Sequence, residues 1–156
     1  MYKVNNIGII RNKFVKKEAL KMLIGGPLTI IVFLLLTYIS MSKWSDFFFA
    51  TSPLLLLIGL IGFIIAPIKM IRRHNKTIYS IDFTENKIVF IGFPALWLKS
   101  KRIELSKDKF KVIETIFNWY GKEKKKGVII RLINNKEYYF VSDFFNEYEL
   151  IIKNLT

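Results

Sequence analysis

Two stretches decide the fold: Met22–Met41, MLIGGPLTIIVFLLLTYISM, and Phe47–Ile68, FFFATSPLLLLIGLIGFIIAPI. Neither contains a charged residue, and each matches the roughly 20 residues a helix needs to cross about 30 Å of hydrocarbon. Their Leu, Ile, Val and Phe side chains each favour the bilayer centre by roughly 0.3–0.6 kcal/mol. A buried helix of a soluble protein keeps a polar stripe, and neither stretch has one. A cleaved leader is not expected, because the first run starts only after Lys21 and leads into no small-residue cleavage site. The prediction is a transmembrane helical hairpin over 22–68, with spans 22–41 and 47–68. Ser42-Lys43-Trp44-Ser45-Asp46 is a connection short enough to force the spans antiparallel, with Trp44 and Phe47–Phe49 at the far interface.

Charge orients the hairpin. The 156 residues carry 25 Lys and Arg against 12 Asp and Glu, a net +13, and most of that excess lies before residue 77. Lys3, Arg11, Lys13, Lys16, Lys17 and Lys21 precede the first span, and Lys69, Arg72, Arg73 and Lys76 follow the second. Only Lys43 lies between them, so the positive-inside rule puts both termini in the cytoplasm of a multi-pass inner-membrane protein. A 52% apolar composition excludes disorder, and the absence of Cys excludes a disulfide framework and any Cys-built metal site. No ionisable residue interrupts either span, which argues against a proton relay or ion path. Gly25 and Thr29 on the first span, and Gly59, Gly62 and Ala66 on the second, are candidate helix-packing positions for the hairpin or for a homo-oligomer. Pro27 and Pro53 are read as lying in the first two turns of their spans.

The chain divides into a basic N-terminal segment 1–21, the hairpin 22–68, a basic juxtamembrane linker 69–76 and a domain 77–156. In the domain, Tyr79, Ile81 and Phe83 alternate with Ser80 and Asp82, as in a half-buried strand. Thr84-Glu85-Asn86 turns into a strand over 87–93. Further extended runs are read at 96–105, 110–117, 128–133 and 138–141, with a break at Ser106-Lys107-Asp108 and a polar connection over 118–127. Asn134-Asn135 suits a hairpin turn, since Asn tolerates positive φ. Ser142 then reads as a helix cap, and Phe144, Tyr148, Ile151, Ile152 and Leu155 as one apolar stripe. The fold class is therefore an α+β membrane protein: a helical hairpin, then a small antiparallel barrel or bent sheet closed by a C-terminal helix.

This order of elements resembles the bacterial pleckstrin-homology-like membrane proteins, in particular the YcxB-like family. The likeness rests on the hairpin Ile78-Tyr79-Ser80-Ile81-Asp82-Phe83 to Ile88-Val89-Phe90-Ile91, and on the closing Tyr138-Tyr139-Phe140-Val141-Ser142-Asp143-Phe144-Phe145. The resemblance implies a pleckstrin-homology-like (PH-like) domain of seven strands on a membrane tether, with no chemistry of its own and no specified ligand. Six strands are counted after the membrane. The seventh is either a division of 96–105 or residues 2–10 returning to the sheet.

No catalytic constellation emerges, and neither a metal site nor a cofactor is expected. His74 stands alone and reads as an interfacial residue beside lipid phosphates. The carboxylates of Asp82 with Glu85, and of Glu147 with Glu149, read as solvated. Two basic–aromatic stretches are candidate contacts for anionic lipid or a partner. Trp119, Tyr120, Lys122, Lys124, Lys125 and Lys126 form either a headgroup clamp or a solvated loop. Trp97, Lys99, Lys101 and Arg102 either dip into the interface or flank a core strand; Arg72 and Arg73 join the candidates beside the membrane. Along residues 11–21 and the preceding Ile10, the side chains of Ile10, Phe14 and Val15 could lie along headgroups, with Asn12 capping a helix into the first span. Nucleic acid is not an expected partner, because topology accounts for most of the charge. The expected function is a non-enzymatic, membrane-anchored module presenting its domain to a protein or anionic-lipid partner. The alternatives are an immunity protein against a secreted toxin, or an accessory subunit of a larger membrane complex.

Overall fold

Asn5 sets where the first helix begins. Its Oδ1 accepts a hydrogen bond from the Gly8 N–H at 3.1 Å, satisfying one of the donors a helix start leaves open. In the computed structural model, which describes residues 1–40, 45–106, 109–119 and 123–156, α1 then runs unbroken from Asn6–Ser40. The N-terminal segment is thus helical from Asn6 on, and Asn12 lies inside the helix instead of capping it. Pro27 falls mid-helix, not near a start. It removes one backbone donor, and the Thr29 hydroxyl donates to the Gly25 carbonyl at 2.7 Å on the adjoining turn.

The second apolar stretch forms α2 (Ser45–Leu60), a π-helical turn (Ile61–Ile65) and α3 (Ala66–Asn75). Pro67 lies one residue beyond the π turn, after Ala66, and its missing N–H could not have closed an α-helical bond to the Phe63 carbonyl. Residues 69–75, expected as a linker, are the end of this helix. Residues 41–44, with Trp44 of the expected connection, lie outside the described residues.

The remaining strands are β1 (Tyr2–Lys3), β2 (Ile78–Phe83), β3 (Lys87–Gly92), β4 (Arg102–Ser106), β5 (Phe110–Trp119), β6 (Glu123–Leu132) and β7 (Glu137–Val141). They form two antiparallel sheets, ordered β1-β2-β3-β4 and β5-β6-β7, and α4 (Tyr148–Leu155) follows. A parallel bridge between Thr77 and Tyr139 links the sheets at one corner. Ile78, Ile81, Ile88 and Phe90 from the first sheet, Val128, Ile130 and Phe140 from the second, and Ile151 from α4 pack into one fully buried cluster. A register shift between Ile78 and Ser80 lets neighbouring Ser80 and Ile81 both turn inward.

Several sequence expectations shift here. Residues 2–10 do add a strand, but only Tyr2 and Lys3, opposite Ile81 and Ser80. The strand expected over 96–105 shortens to β4. Before it, Ala95 and Leu98 exchange two backbone hydrogen bonds around a tight turn in which Leu96 has φ 48°. The polar connection expected at 118–127 is mostly strand, since β5 and β6 pair in register from Phe110–Leu132 out to Trp119–Glu123. Asn135 has the anticipated positive φ, 59°, within a turn closed by Leu132 and Lys136. Ser142 caps no helix: it opens a 3-10 turn (Ser142–Phe144), and its hydroxyl donates to the Lys126 carbonyl. Phe144 therefore falls outside α4, while Ile151 and Leu155 are that helix's buried positions. Lys107 and Asp108 lie outside the described residues.

Contacts divide the chain into two units, Met1–Val15 with Arg72–Thr156, and Lys16–Ile71. The first differs from the expected 77–156 by including the chain start. Within the second, close approaches fall at Gly59, an expected packing position, and at Gly26, which was not one. A Cβ on Gly26 would meet the Phe63 ring, and one on Gly59 would meet the Ile30 side chain, whereas Gly25 and Gly62 face open space. Ala66 and Thr29 are exposed. Two helical stretches, Asn6–Leu36 and Ala50–Asn75, are long and apolar enough to cross a membrane, and only 11% and 18% of their most apolar windows are buried.

Candidate functional site

Alternation along β6 scatters the lysines that sequence places in one loop. Successive strand side chains point to opposite faces, so Lys125 and Lys126 part company. Lys124 is exposed. Lys125 lines a groove of about 320 Å³ together with Ile7, Ile10, Arg11, Phe14 and Asp143. Its ammonium donates to Asp143 Oδ2 at 2.7 Å. That bond, helped by one from the Ser142 hydroxyl, holds the Asp143 carboxyl below its ordinary pKa against the opposing effect of partial burial. Tyr120, Lys122 and the side chain of Trp119 lie outside the described residues.

The groove's other wall is the first turns of α1. Ile7, Ile10 and Phe14 recur at i, i+3 and i+7, and they are 57, 67 and 46% exposed. The Arg11 guanidinium sits 5.3 Å over the Phe14 ring. Val15, grouped with Ile10 and Phe14 in the sequence reading, is instead buried. Asp143 is the member that sequence reasoning missed as a partner for Lys125. The helical period of Ile7, Ile10 and Phe14 was the available signal for the apolar wall.

The second candidate stretch becomes a turn with an aromatic tip. Phe93 and Ala95 are buried, so they anchor the turn, while Trp97 is 61% exposed. Asn75 clamps its base, its Nδ2 donating to the carbonyls of Phe93 at 2.8 Å and Lys99 at 3.0 Å. Lys99, Lys101 and Arg102 are exposed, with Arg102 2.9 Å from Glu104. This is neither a full core strand nor a wholly free loop. Its core half ends at Ala95, and its cations follow the turn.

His74 and Arg73 belong to the folded unit. Contrary to the interfacial expectation, His74 is fully buried and stacks on Phe93 with centroids 4.8 Å apart. Its Nε2 lies 2.9 Å from Asn12 Oδ1, within hydrogen-bond distance. Arg73 lies over the Tyr139 ring at 5.4 Å, and Tyr139 meets Phe117 edge-on at 5.7 Å. Phe117 is the cross-strand neighbour of Lys125, so Arg73 and the groove share one aromatic row. Arg72 is exposed. Of the acids expected to be solvated, Asp82 pairs with the N-terminal ammonium at 3.0 Å. Among the described residues no three His, Asp or Glu side chains gather closely enough to hold a metal ion.

No protein-family model, no characterised protein and no solved structure matches this chain.

Proposed function

We propose that the chain is an inner-membrane protein whose two apolar helices span the bilayer as a hairpin, both termini cytoplasmic, and that it carries a non-enzymatic PH-like binding domain. The observation that carries this reading is the exposure of the helices. Ile24, Leu28, Ile31, Leu35 and Ile39 are each more than half exposed, as are Leu54, Leu56, Leu57 and Ile58. A soluble surface rarely presents so long an apolar face, whereas hydrocarbon accepts it. Two sheets of four and three strands followed by a helix support the PH-like assignment.

The partner is anionic. Trp97 with Lys99, Lys101 and Arg102, and the groove holding Arg11 and Lys125, each combine apolar surface with cations that suit phosphate or carboxylate groups. A lipid headgroup or an acidic protein segment at the cytoplasmic face supplies that chemistry.

The chain lacks Cys, which makes single-cysteine labelling direct. A membrane-impermeant maleimide should modify Ser42→Cys in intact cells, and Thr84→Cys only after permeabilisation. The opposite pattern overturns the orientation. Modification of both in intact cells, or of neither, overturns the hairpin.

A further inference from the structure

Among the described residues, β5 pairs with one strand, β6. Its sheet is ordered β5-β6-β7, so β5 is an edge ten residues long, and its register with β6 runs from Phe110 to Trp119 without a bulge. Among the described residues, none from Lys111 to Ile116 makes a backbone hydrogen bond to any element but β6. Natural sheets blunt long edges with proline, bulges or a covering element, because unpaired N–H and C=O groups template another strand. No proline or bulge interrupts β5.

Beside this edge lies a groove of about 420 Å³. Glu114, Thr115 and Ile116 of β5 form one wall, and Tyr148, Glu149 and Ile152 of α4 form the other. Ile116 is 61% exposed, an apolar β-branched side chain left uncovered in mid-strand. The groove is also acidic on a chain of net charge +13, holding two carboxylates against the single ammonium of Lys126. Burial, then the charges of Glu114 and Glu149, hold the Tyr148 hydroxyl above its ordinary pKa, so both carboxylates act on one spot.

We propose that an extended, basic segment of a protein partner docks here, pairing with β5 as a further strand, with a lysine or arginine between Glu114 and Glu149 and an apolar side chain over Ile116 and Ile152. Main-chain hydrogen bonds provide the affinity, and alternate side chains facing the groove provide the selectivity. The site lies apart from the Lys125 groove. It selects the opposite charge, and it stands whether or not that groove binds an anion.

The test uses the full chain in detergent micelles and three synthetic heptapeptides. One alternates valine and lysine, one alternates valine and glutamate, and the third is the lysine peptide with every second amide N-methylated. Titration followed by backbone amide NMR should show the lysine peptide binding at least tenfold tighter than the glutamate peptide, with shifts centred on β5 and α4. N-methylation should abolish binding, since it removes strand donors while leaving every charge. The double variant Glu114→Lys/Glu149→Lys should reverse the preference. Equal binding by the N-methylated peptide overturns the proposal in favour of plain charge attraction. Shifts centred elsewhere, or no binding at all, overturn it too. So does a size measurement of the protein–detergent complex showing that a second copy of the chain occupies the edge.

Discussion

Phe140 in β7 and Leu35 in α1 are both large apolar side chains, and they end in opposite situations: Phe140 has no exposed surface, and Leu35 is 55% exposed. The difference runs through the whole of each unit. In the β unit, water sorts the sequence. Apolar residues recur at every second position, one face turns inward, and the core closes around Phe90, Phe140 and Ile151. In 16–71 there is little to sort, because nearly every residue of the spans is apolar and the helix needs only length and internal hydrogen bonds. The same side-chain chemistry therefore stabilises the first unit by leaving water and suits the second to a solvent that is not water.

Three substitutions break this comparison if it is wrong. Truncating Phe140 to Ala should cost about 3–5 kcal/mol, since it leaves a cavity where Phe145 and Tyr148 now meet the ring. Denaturation of the detergent-solubilised chain, followed through the β unit, measures it. Leu35→Ala should move the same transition by less than about 0.5 kcal/mol. Leu35→Arg gives the next largest effect, a loss of about 2.5–3.5 kcal/mol in membrane insertion, read from the fraction resisting alkaline extraction. A water-facing Leu35 predicts no loss there, and that result would remove the bilayer from the account.

The chain start sharpens the comparison at its seam. Asn5 caps α1 and also ties it to the far end of the sequence, its Nδ2 donating to the Asp143 carbonyl at 3.0 Å and to Asn146 Oδ1 at 3.1 Å. Asn5→Ala should destabilise the β unit by about 2–3 kcal/mol, the sum of a lost cap and two modest hydrogen bonds. Asn5→Asp keeps the acceptor for Gly8 N–H and loses both donors, so its melting temperature should fall between wild type and Asn5→Ala. Equal melting of all three would mean that residues 1–5 are not integral to this unit.

What could be read from the sequence follows the range of the forces involved. The apolar stretches, the β2–β3 hairpin and the left-handed Asn135 depend on composition or on neighbours a few residues away, and all were legible. The misread positions depend on distant partners. His74 looked interfacial because Asn12 and Phe93, which bury it, lie far off in sequence. The lysines at 124–126 looked like a loop because their strand character comes from pairing with β5, not from local pattern. Ser142 looked like a helix cap, but the Lys126 carbonyl takes its hydroxyl hydrogen bond. The candidate groove shows the same divide. Its helical wall follows a visible period, whereas the Lys125–Asp143 pair exists only once β6 is paired and the chain has turned after β7.

That pair also supplies the smallest effect. Asp143 has its pKa lowered from the ordinary 3.8, chiefly by the hydrogen bond from Lys125. A carboxyl whose folded pKa is depressed contributes stability that is complete above its unfolded pKa and is lost as pH falls through the lower, folded one. Asp143→Asn should therefore be less stable than wild type by a constant amount near neutral pH, and the gap should close only below about pH 4. The amount should not exceed about 1 kcal/mol, since the two side chains keep 32 and 38% of their surface in solvent. Lys125→Met should raise the Asp143 midpoint in a carboxyl-carbon NMR titration while leaving the helical spans untouched. An unmoved midpoint would show that the Ser142 hydroxyl, not the ammonium, sets the acidity of the groove.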